Sequence, residues 1–89
     1  MWKKCLIQKY DPSVRTPPYK FINLGEVDVE FPEENNDGGS EKWLRMKHAC
    51  ARLGYVAKSW SILHDSKYEC VILVNGTLEE MRALGMSWF

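Results

Sequence analysis

Residues 40–54, SEKWLRMKHACARLG, carry the reading on which the fold turns. At ~100° per residue, Trp43, Met46, Cys50 and Leu53 fall on one stripe of a helix, flanked by Leu44 and Ala51. Glu41, Arg45, His48 and Arg52 fall together on the opposite side. Ser40 is a good N-cap, and Gly54 is suited to the position that stops a helix. A helix from Ser40 to Leu53 is therefore expected, with its apolar stripe against a sheet.

That sheet is read outward from the helix. Before it, residues 19–31, YKFINLGEVDVEF, alternate strictly after Gly25. Val27, Val29 and Phe31 point one way, and Glu26, Asp28 and Glu30 the other. Gly25 predicts a bulge or bend in mid-strand. Pro32 ends the strand, and residues 33–39, EENNDGG, are expected to form a mobile acidic and glycine-rich loop. Further back, residues 2–10, WKKCLIQKY, read as a first strand. Asp11-Pro12-Ser13 then signals a turn, and Thr16-Pro17-Pro18 keeps the connection extended.

After the helix, residues 55–63 (YVAKSWSIL) and 67–75 (KYECVILVN) read as third and fourth strands, joined by a turn at His64-Asp65-Ser66. The fourth is nearly all apolar and is expected in the middle of the sheet. Thr77-Leu78-Glu79-Glu80 matches a capping box and opens a second helix that Gly85 ends. Residues 86–89 are an aromatic C-terminal tail. The order β-β-α-β-β-α predicts a two-layer α+β sandwich. Its four-stranded, mostly antiparallel sheet would carry two helices packed on one face, in a single compact domain over residues 1–89.

The composition agrees. Of 89 residues, 45% are hydrophobic and 27% charged, with twelve acids balancing twelve bases. A chain of this make-up does not read as intrinsically disordered. No apolar run approaches the ~18 residues of a membrane span, and no membrane partner is expected. Cys5, Cys50 and Cys70 are odd in number and lack paired spacing. That argues against a disulfide framework and for a reducing compartment. Cys5-Leu6-Ile7 is too short for a signal-peptide apolar region, so a cytoplasmic location is expected.

The zero net charge hides a segregation. Residues 1–25 carry Lys3, Lys4, Lys9, Arg15 and Lys20 against Asp11 alone. Residues 26–39 carry Glu26, Asp28, Glu30, Glu33, Glu34 and Asp37 and no base. A row of carboxylates at alternate strand positions can engage lysines or arginines on a larger protein or complex. It also serves as a solubilising face that deters edge-to-edge pairing. Trp60, Trp88 and Phe89 are candidate aromatic anchors for the same partner, or cover for a thin core. The first expectation is thus a protein-binding module.

The alternative is a small nucleic-acid-binding domain. Lys42, Arg45, His48 and Arg52 on the helix and Lys3 and Lys4 at the N-terminus would contact phosphates. Lys9 and Lys20 extend the basic region, with Tyr10 and Tyr19 placed for stacking. Glu41 lies four residues before Arg45, the spacing of an ordinary surface ion pair, and the balanced charge lacks the usual basic footprint.

Catalysis is the weakest reading. His48 and Cys50 stand two apart on the helix and diverge by about 200°, so they cannot form a nucleophile–base pair or share a metal. Nothing brings His48 and His64 together. Asn75-Gly76-Thr77 before a helix can receive an anion but is a common feature. A non-enzyme with no catalytic residues, metal or cofactor is expected. In general profile the chain resembles small accessory and inhibitor proteins of viral or mobile-element origin, anti-CRISPR proteins among them. The resemblance is one of type: it covers no alignable segment and transfers no residues. It implies an inhibitor that masks a basic surface of a larger machine. Homodimerisation is a further way to cover the core.

Overall fold

A computed structural model describes residues 1–31, 38–63 and 67–85. Its elements are β1 (Trp2–Tyr10), β2 (Phe21–Glu30), α1 (Gly38–Arg52), β3 (Tyr55–Ile62), β4 (Cys70–Thr77) and α2 (Leu78–Ala83). The four strands form one sheet in the order β2-β1-β4-β3. The apolar fourth strand is central, as its composition implies.

The sheet is mixed, which corrects the mostly antiparallel expectation. β1 pairs antiparallel with β2, and β3 with β4, but the central pair β1–β4 is parallel. The reason lies in the crossover. α1 carries the chain from β2 at one edge to β3 at the other, and these two strands run in the same direction. Each edge strand then has its antiparallel partner on the inner side. β1 and β4 both oppose the edge strands and so lie parallel to each other.

Local chemistry explains most element ends. At Gly25 the backbone takes φ 151°, and the β1–β2 register shifts between Ile7 and Gln8. This is the expected bulge. Gly54, at φ 90°, stops α1, and the Gly54 and Leu53 amides donate to the Ala51 and Cys50 carbonyls. The Thr77 hydroxyl accepts from the Glu80 amide, while the Glu80 carboxylate accepts from the Thr77 amide, so the capping box is complete. The start of α1 differs from expectation. Gly38 and Gly39, read as loop, lie within the helix, so Ser40 is not its cap. Residues 33–37 and the tail 86–89 lie outside the described residues.

The core joins Cys5 and Ile7 of β1, Val29 and Phe31, Met46, Ala49 and Cys50 of α1, Ala57 of β3, and Cys70, Ile72 and Val74 of β4. Trp43 and Trp60 pack partly buried against it. The buried stripe of α1 is rotated from the one read in the sequence. Ala49 is buried, whereas Leu53 beyond the helix end and Leu44 on its flank are exposed. The cysteines are a second correction. Parallel pairing sets Cys5 opposite Cys70 at a Cα separation of 4.6 Å, and the two are joined as a disulfide across the centre of the sheet. Cys50 is a buried free thiol, and burial pushes its pKa up to about 11.

Candidate functional site

The acidic strand β2 is an outer strand, with Glu26, Asp28 and Glu30 all exposed along it. Their cross-strand partners on β1 are Leu6, Lys4 and Trp2. Val27 and Val29, between them, turn to the core side. Strand alternation thus separates the carboxylate row from the apolar one, as the sequence pattern requires.

Among the described residues, Glu26 and Glu30 have side-chain partners. Glu26 lies 3.4 Å from Lys4 Nζ and accepts a 2.6 Å hydrogen bond from the Tyr68 hydroxyl. That hydroxyl, more than the Lys4 ammonium, holds the Glu26 carboxyl below its ordinary pKa. Glu30 lies 3.4 Å from Arg45, which also pairs with Glu41 at 3.0 Å. The Glu41–Arg45 pair is the one its spacing announces. The Tyr68 contact, between residues 42 apart in sequence, had no signal in the pattern.

The other expected anchors part company. Trp60 is half-buried, its ring meeting the Phe31 ring edge-on with centroids 6.1 Å apart. It serves the core. Glu33, Glu34, Asp37, Trp88 and Phe89 fall outside the described residues, as does His64.

Part of the basic helix face is engaged in local contacts. Arg45 is shared between Glu30 and Glu41. Lys3 and Lys42 both stand over the Phe31 ring, at 5.0 and 5.8 Å from its centroid. His48 and Arg52 remain on the exposed side of α1 and, with Trp2, Glu30 and Arg45, line a groove of about 220 Å³. The N-terminus of α2 is filled by its own Glu80 carboxylate, where an anion would otherwise sit.

A third surface was only half visible in the sequence. At the β1–β2 hairpin, Tyr10, Tyr19 and Phe21 form a continuous exposed aromatic group. Tyr10 lies 4.9 Å from Phe21 and 5.8 Å from Tyr19 between ring centroids. Phe21 joins because it pairs across the strands with Tyr10. Lys58 joins from β3, its ammonium 5.3 Å from the Tyr10 centroid. No protein-family model, curated protein or solved structure matches the chain.

Proposed function

We propose that this chain is a small protein-binding module, acting as an inhibitor or accessory factor, which docks its acidic β2 edge on a basic surface of a larger protein. The observation that carries this reading is the placement of Glu26, Asp28 and Glu30 as an exposed row on an outer strand. An edge strand offers unpaired backbone groups beside that row, so an extended basic segment can add to the sheet while its lysines or arginines meet the carboxylates. The local pairs do not prevent this. Lys4–Glu26 and Arg45–Glu30 are solvent-exposed, and such pairs contribute about 0–1 kcal/mol, so a partner's cations can replace them at little cost.

The test is a comparison of two proteins in a nuclease-treated pull-down. Wild type should retain a stoichiometric partner that the Glu26→Lys/Asp28→Lys/Glu30→Lys variant loses while keeping its circular dichroism. Equal retention by the folded triple variant rules the acidic edge out. A cytoplasmic site of action belongs to the same proposal and has its own check. There, Cys5 and Cys70 would stand as adjacent thiols, and alkylation on lysis would label both. Recovery of the intact disulfide from the native cell places the protein in an oxidising compartment instead.

A further inference from the structure

We infer that the β1–β2 hairpin end is a second binding site, for a few nucleotides of single-stranded nucleic acid stacked on Tyr10, Tyr19 and Phe21. These three residues are 41%, 50% and 47% exposed although their rings adjoin. The hairpin loop adds an open hollow of about 360 Å³ lined by Tyr10, Asp11, Pro12, Val14 and Tyr19. A flat, partly exposed ring accepts any base by stacking, without a hydrogen-bond code.

The charge around the rings selects the occupant. Arg15, Lys20 and Lys58 are all exposed, the first two on the hairpin loop and Lys58 over the Tyr10 ring. The one carboxylate of the loop, Asp11, is engaged inside its own turn, accepting from the Ser13 hydroxyl at 2.7 Å and the Ser13 amide at 2.9 Å. Rings flanked by cations suit a chain of bases joined by phosphates. The acidic half of β2 lies at the far end of the same strand and repels phosphate, which limits the footprint to the hairpin end. A duplex hides its base faces and cannot stack there.

The experiment is fluorescence anisotropy with a short labelled oligouridylate at low salt, beside a duplex of equal length. Binding to the single strand, falling with added salt and absent for the duplex, is expected. Tyr19→Ala, on the loop, should weaken it about five- to a hundredfold. Arg15→Ala/Lys20→Ala should weaken it and flatten the salt dependence by about 0.7 in slope per lost phosphate contact. The Glu26→Lys/Asp28→Lys/Glu30→Lys variant should bind at least as well as wild type, which separates this site from the acidic edge. No binding by folded wild type overturns the inference, as does binding that Tyr19→Ala and the double variant leave unchanged, or equal binding of the duplex. Sedimentation showing a dimer that Tyr19→Ala disperses, without oligonucleotide binding, assigns the rings to a second copy and overturns it too.

Discussion

Gly25 shows how one residue sets a register. Its φ of 151° is open to glycine and strained for any residue with a Cβ, although the space around it is empty. Gly25→Ala should therefore destabilise by about 1 kcal/mol through the backbone alone, read as a lowered urea midpoint with unchanged slope. Tyr68 acts through a single hydroxyl. Because its hydrogen bond lowers the Glu26 pKa in the folded chain, the contribution is present above the ordinary value of 4.5 and is lost as pH falls through the folded pKa. Tyr68→Phe should move the Glu26 carboxyl titration, followed by NMR, up toward 4.5, and its stability deficit at neutral pH should fade in acid. Cys50 should stay unlabelled by a thiol reagent until the chain unfolds, since burial disfavours its thiolate.

At the scale of elements, the two helices depend on different things. α1 is held by its buried face, and Met46 is fully buried at its centre. Met46→Ala should cost about 2–5 kcal/mol, enough to unfold much of a small domain at room temperature. α2 has six residues and none buried, so its capping box matters more than its packing. Thr77→Ala should cost about 1 kcal/mol and release local amide protection, measured by hydrogen exchange, ahead of global unfolding. These elements were legible because their causes are local. Gly25, Gly54, the Thr77–Glu80 box and the Glu41–Arg45 pair act over a few residues, and each appears where its spacing puts it. That α1 buries Ala49 and leaves Leu53 exposed depends on where the helix ends and on the distant strands β2 and β3 it packs against, and periodicity alone favoured the larger Leu53. In the same way the sequence leaves Trp60 open between partner anchor and core cover until Phe31 is brought against it.

For the whole molecule, what escaped the sequence is what depends on strand order. Alternation marks faces but does not name neighbours, so neither the parallel β1–β4 pair nor the Cys5–Cys70 bond could be read from it. The charge segregation was legible, and the fold draws it out along β2, from the aromatic hairpin to the carboxylate row. The bond closes a loop of 65 residues, and the chain-entropy relation assigns such a closure about 4 kcal/mol. Cys5→Ala/Cys70→Ala should lower the urea midpoint accordingly, and a reductant should do the same to wild type but not to the variant.

The strand order also bears on how the protein is made. A ribosome delivers β1 first and β4 last among the strands, yet these two are neighbours at the centre of the sheet. Through most of synthesis β1 has only its hairpin partner, and the flank that will receive β4 stays bare. The nascent chain therefore carries an exposed strand edge until β4 emerges, and closure of the sheet waits for that strand. Nascent chains halted before Cys70 should stay protease-sensitive throughout, while release of the last strand should protect β1 and β4 together.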